Sequence, residues 1–157
     1  MSADYLAAQE KARQQYEAAF HLLKVTFPVV KDPKLLMGVL HNLFSSLEAG
    51  MDAILAYERE LQLLSYGPSF QNRYNAFCYR SVPRNKIPLE IANLLGELKE
   101  LLDLHQHSPM EFQRGNKLVI CSNNYHIMKT ISIKELDEYL QQAKRFLELA
   151  PEIIRFK

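Results

Sequence analysis

Apolar side chains recur at steps of three and four along most of the chain, the rhythm of helices that bury one face. Tyr5, Ala12, Tyr16, Ala19, Phe20, Leu23 and Phe27 predict a first helix over about 3–27. Pro28 is expected to end it, because a residue before proline avoids the α region. Asp32-Pro33 opens the second helix: the aspartate caps, and the proline suits the first turn, where an N–H would lack a partner anyway. Leu36, Leu40, Leu43, Leu47, Gly50, Ile54, Tyr57, Leu61 and Leu64 then alternate steps of four and three, a seam suited to bundle packing. With Gly67-Pro68 as its stop, this helix covers about 33–66, about 50 Å at 1.5 Å per residue. Gly50 costs about 1 kcal/mol against alanine in a helix, so close approach of a neighbour is expected there.

A connector follows, with a short helix over about 70–80 that Pro83 interrupts. Ile91, Leu94, Leu95, Leu98, Leu101 and Leu102 give the core face of a helix over about 88–107, and Ser108-Pro109 ends it. The last helix, about 133–149, is announced by Ser132 and Glu135, a capping box. Beyond Pro151 the apolar tail is free to dock or pair.

Between the last two helices the period changes from helical to alternating. Lys117–Ser122 and Tyr125–Ile131 read as strands of a hairpin over about 117–131, with Asn123-Asn124 as a two-residue turn. That register sets Cys121 opposite His126 and Val119 opposite Met128 on one face, and Ile120 opposite Ile127 on the other. Both faces are largely apolar. One is expected on the helices, and the other, carrying Val119, Cys121, His126 and Met128, is expected to meet a second copy of the chain. The fold class is therefore mainly α: one domain over 1–157, an antiparallel bundle of four principal helices with a short connector helix and one β-hairpin before the C-terminal helix. Internal repeats are not evident in the sequence.

Composition adds little direction. The chain has 157 residues, 48% hydrophobic and 24% charged, with a net charge of +1. No global field favours nucleic acid or a membrane. The N-terminus lacks the pattern of a signal peptide, and no apolar run is long enough to span a bilayer. Two cysteines, Cys78 and Cys121, make no disulfide framework, so a reducing, cytoplasmic setting is expected.

Candidate chemistry is sparse. Arg73, Tyr74, Tyr79, Arg80, Arg84 and Lys86 interleave cations with aromatics along the connector, the composition that neutralises phosphates and stacks bases. Arg114 and Lys117 extend that patch if the hairpin folds beside it. A solvated connector with its aromatics packed on the bundle explains the same residues. His105, His107, Cys121 and His126 are metal-ligand types, but they lack zinc spacing, and no metal or other cofactor is expected. His41, Ser45, Glu48 and Asp52 align on one helix face without the Glu-x-x-His pairs of a two-metal bundle, and read as a solvent-facing stripe. No nucleophile elbow, P-loop or dinucleotide fingerprint occurs, and no catalytic residue is assigned.

Ser108-Pro109, Glu111-Phe112, Arg114 and Val119-Ile120-Cys121, in a hairpin that follows long antiparallel helices, resemble a type of small archaeal protein whose bundle is similar to the HEPN (higher eukaryotes and prokaryotes nucleotide-binding) class. The resemblance covers most of the chain, and only the hairpin segment is distinctive. Many members of that class are ribonucleases, marked by an arginine a short step before a histidine, or partners of nucleotidyltransferases. None of His21, His41, His105, His107 and His126 has an arginine at that step, so no catalytic residue carries over. The resemblance thus implies a non-catalytic member. The expected function is a non-enzymatic interaction or scaffold protein acting as a homodimer. The alternative is RNA or nucleotide binding through the connector.

Overall fold

The computed structural model describes residues 2–107, 110–121 and 128–155. Helix α1 (Ser2–His21) continues through a π turn (Leu22–Thr26) into α2 (Phe27–Val30). Then come α3 (Pro33–Glu60), α4 (Phe70–Ala76), a second π turn (Phe77–Ser81) and α5 (Val82–Asn85). Helix α6 (Leu89–His107) precedes strands β1 (Met110–Arg114), β2 (Lys117–Cys121) and β3 (Met128–Ser132), and α7 (Ile133–Arg155) closes the chain.

Helices α1, α3, α6 and α7 form the bundle, and each runs opposite to the one before it. Three contacts fix the antiparallel α1–α3 pair. Tyr5 meets Tyr57 edge-on at 5.5 Å between ring centroids, the buried Ser46 hydroxyl donates to the Ala12 carbonyl at 2.8 Å, and Leu22 lies over Gly38. Helix α7 packs on both α1 and α3. Its Phe146 ring lies so close to Gly50 that a β-carbon there would be 2.6 Å away, the close approach expected from the seam. One cluster of buried side chains runs through all four helices and takes in Leu118, Ile120 and Ile131 of the sheet.

Several helix ends depart from expectation, because the stops do not use glycine and the prolines do not stop the helix. Helix α3 ends at Glu60 rather than near 66. Gln62 takes the left-handed conformation (φ 62°), its N–H donates to the Arg59 carbonyl, and the Leu63 N–H donates to the Glu58 carbonyl. These two bonds are a Schellman stop, built on glutamine instead of glycine. Pro28 and Pro83 interrupt nothing. Each follows a π turn whose last bond spans five residues, Phe27 N–H to the Leu22 carbonyl and Val82 N–H to the Phe77 carbonyl. The wider turn relieves the clash between a proline ring and the carbonyl four residues back. Helix then continues for a few residues and stops on a left-handed lysine, Lys31 (φ 59°) or Lys86 (φ 54°). Pro151 likewise lies inside α7, which extends to Arg155 and buries Ile154, so the tail is helix and not a separate arm.

The two proline corners are a repeat that inspection of the sequence misses. Phe27-Pro-Val-Val-Lys-Asp-Pro33 and Val82-Pro-Arg-Asn-Lys-Ile-Pro88 share an apolar residue, proline, left-handed lysine and second proline at identical spacing, and a helix follows each.

The sheet has three strands in the order β1-β2-β3, one more than expected. Gly115-Asn116 makes the tight turn between β1 and β2, with Gly115 at φ 61°. Between β2 and β3 the register pairs Cys121 with Met128 and Leu118 with Ile131. The expected pairing of Cys121 with His126 is therefore displaced by two residues. Because side chains alternate with period two, this shift keeps each described strand residue on its predicted face. It brings Ile131 rather than Lys129 opposite Leu118, so an apolar pair meets over the core. Asn123-Asn124, and with them the expected turn, lie outside the described residues. The sheet sits where α6 ends and α7 begins, and the Asn116 carbonyl accepts from the Ile133 N–H. The Ser132–Glu135 capping box forms as expected, at 3.0 and 3.1 Å.

Replacing Gly50 with alanine is expected to lower stability by about 1–3 kcal/mol, because the new β-carbon would push on the Phe146 ring, which packs against Phe77 at 5.9 Å. Helix propensity alone would favour alanine by about 1 kcal/mol. Urea denaturation of G50A gives the sign directly.

Candidate functional site

The carboxylates of α3 collect the arginines of the connector. Asp52 and Glu48 lie one turn apart on the row that was expected to face solvent. Arg73 reaches across to both: its Nη1 donates to Asp52 at 2.7 and 3.0 Å, and its Nη2 donates to Glu48 at 2.9 Å. Its Nε donates to the Pro68 carbonyl at 3.2 Å. Burial pushes the Asp52 carboxyl up, outweighing the pull of Arg73, and the charge of Glu48 adds to the rise.

Two turns further along α3, Glu58 is only 1% exposed. Ser81 Oγ donates to it at 2.5 Å, Asn85 Nδ2 at 2.9 Å, and the Arg84 guanidinium pairs with it at 3.0 Å. Arg84 also donates to the Leu63 carbonyl at 3.2 Å, which ties the α3 stop to α5. Glu58 is the principal residue that sequence reasoning missed. Its signal was present: it continues the row Leu47, Met51, Leu55, where a carboxylate in phase with buried residues must find partners.

Tyr74 is equally committed. Its hydroxyl donates to the Ala92 carbonyl at 2.7 Å and lies against Gly96, where a β-carbon would be 2.5 Å away. Burial, with a hydrogen bond shared with Cys78, pushes its phenol up to about 12. Burial also pushes the Cys78 thiol up, the wrong direction for a nucleophile. Of the expected basic–aromatic patch, Arg73, Tyr74 and Arg84 thus serve the fold, whereas Tyr79, Arg80 and Lys86 remain exposed. Arg114 and Lys117 do not extend the patch. They flank the turn beside Ile133 at the start of α7, whereas Arg84 lines a cleft with Leu149 and Ile153. About 25 Å of helix separates the two.

The hairpin face expected to be open is closed at two of its four positions. Val119 and Cys121 are buried by the chain itself, and Cys121 is a free thiol. His126 and the side chain of Met128 lie outside the described residues. The metal-ligand types do not assemble either: among the described residues no group of three or more His, Cys, Asp or Glu converges. His105 instead meets His41 of α3, ring centroids 6.4 Å apart. Burial lowers the pKa of His41, and the neighbouring His105 lowers it further. No helix among the described residues is long and apolar enough to cross a membrane.

Among the described residues, the first proline corner gathers three exposed valines. Val25, Val29 and Val30 are 51%, 82% and 58% exposed. Val25 and Val29 stand one helical turn apart, and Lys31 and Asp32 flank them in solvent. Against this geometry, no protein family, no curated protein and no solved structure matches the chain.

Two outcomes follow. Glu58→Ala leaves Arg84, Ser81 and Asn85 without their acceptor and is expected to cost about 3–5 kcal/mol in chemical denaturation, with Glu58→Gln intermediate. For His41, a folded pKa below the unfolded one means that the unfolded state binds the proton first. Its contribution to stability is complete above about pH 6.5 and falls as pH drops from there toward the depressed folded value. Melting curves between those limits should flatten in His41→Gln.

Proposed function

We propose that the chain is a non-catalytic interaction module that works as a homodimer, with the first proline corner as its contact surface. One observation carries this reading. The same corner occurs twice, and only one copy is satisfied. After the second proline, Arg84 and Asn85 reach Glu58 of α3. After the first, the equivalent residues are Val29 and Val30, and both stand in water with Val25 beside them.

Isolated exposed apolar residues are ordinary, but three β-branched ones on one corner form a patch of the kind that marks an interface. A second copy is the occupant the surface fits best. An isologous contact buries each valine twice, and Lys31 beside Asp32 gives the rim both signs, so the surface complements itself across a two-fold axis. Three valines per copy make a small interface, which sets dissociation in a weak, concentration-dependent range. A non-catalytic HEPN-like bundle, as the sequence resemblance implies, fits such a module.

Sedimentation velocity over a wide concentration range tests the reading. The wild-type chain should shift from monomer toward dimer as concentration rises. Val29→Glu should hold it as a monomer with unchanged helical circular dichroism. Leu89→Glu, at an exposed leucine elsewhere, should leave the shift intact. A wild-type monomer at every concentration, or a dimer that survives Val29→Glu, overturns the proposal.

A further inference from the structure

We propose that the cleft between the end of α3 and the second π turn binds a phosphate-bearing ligand through Arg59 and Arg80. The cleft is open, about 500 Å³ in volume, and its lining is Arg59, Gln62, Leu63, Leu64, Ser65 and Arg80. No carboxylate is among these residues.

Three other arginines are already held by carboxylates, whereas this pair shares one open cleft. Arg13 is held by Glu10 and Glu17, Arg73 by Glu48 and Asp52, and Arg84 by Glu58. Among the described residues, Arg59 and Arg80 meet no carboxylate within ion-pair distance, yet both border one open volume. Two cationic side chains lining the same space repel each other, and an anion between them converts that repulsion into charge-assisted hydrogen bonds. Guanidinium forks match phosphate oxygens in pairs, which an ammonium group cannot do. Arg59 is already positioned, with its guanidinium carbon 4.7 Å from the centre of the Tyr66 ring, so less side-chain freedom is lost on binding. The Gln62 amide and the Ser65 hydroxyl are further donors in the lining, and Leu63 and Leu64 offer an apolar wall for the remainder of the ligand.

The Schellman stop creates the site. Had α3 continued to residue 66, Arg59, Gln62 and Ser65 would have lain in a row on one face of a straight helix. The left-handed turn at Gln62 instead folds 62–65 back beside Arg59. The inference does not rest on self-association: α3 puts about 40 Å between this cleft and the valine corner.

The test uses the full chain and inorganic phosphate, read by the side-chain Nε–H resonances of arginine in NMR, with sodium chloride holding ionic strength constant. The Arg59 and Arg80 signals should shift and saturate. Arg59→Gln and Arg80→Gln should each weaken binding about tenfold or more, the loss expected for one hydrogen bond to a charged group. Arg145→Gln, at an exposed arginine of α7, should change nothing. Shifts that never saturate, or that are equal in all three variants, mean an adventitious ion only and overturn the proposal. Adenosine monophosphate and a short single-stranded RNA, each competing with phosphate, separate the two sources of this chemistry. Binding that weakens steeply with salt for RNA alone identifies a polynucleotide backbone, and tight, salt-tolerant binding of the mononucleotide identifies a small phosphorylated molecule. Either result supports the site, and failure of both to displace phosphate overturns it.

Discussion

A carboxylate inside a bundle is stable only where hydrogen bonds and an opposite charge compensate for lost water. Glu58 sets that condition for much of this protein. To satisfy it, Ser81, Arg84 and Asn85 must all arrive at one point on α3. The second π turn and α5 are thereby fixed against the long helix, and so is the place where α6 begins. Arg73 makes a second, more solvated attachment of the same kind at Glu48 and Asp52. The connector is held to its scaffold by these charged contacts together with buried Phe77, Val82 and Ile87.

The periodic part of this architecture was legible from the start. Four principal helices, the capping box at Ser132 and the tight packing at Gly50 all follow from residue spacing, because burial of one face dictates it. The helix ends were not legible, and the reason is specific. Glycine is the usual left-handed stop because it has no β-carbon, whereas this chain stops on Lys31, Gln62 and Lys86. Proline misled in the opposite direction, since a preceding π turn lets the helix pass through it at Pro28 and Pro83. Neither device changes the hydrophobic period.

The functional surface was harder to read for a related reason. Sequence shows which residues are charged but not which charges meet. Arg73, Arg80 and Arg84 look alike in the connector, and only the fold separates the two that hold carboxylates from the one that does not. Arg59 escaped notice because it sits in an ordinary last helical turn, and becomes interesting only once Arg80 faces the same cleft. The hairpin was located correctly, and its faces survived a register error of two residues. Its role changed with the burial of Val119 and Cys121. The strands close the end of the bundle, contributing Leu118, Ile120 and Ile131 to the core.

The fit of Phe146 over Gly50 also has a meaning in time. Helices α1 and α3 are neighbours in the chain and can pair early through local contacts, the quick route for helical proteins. The face of α3 centred on Gly50 then waits for a ring that lies more than ninety positions later in the sequence. During synthesis the α1–α3 pair can form before α7 is made, and its apolar trough stays open until α7 fills it. Late arrival of the closing helix makes the nascent chain, rather than the finished protein, the form most exposed to aggregation.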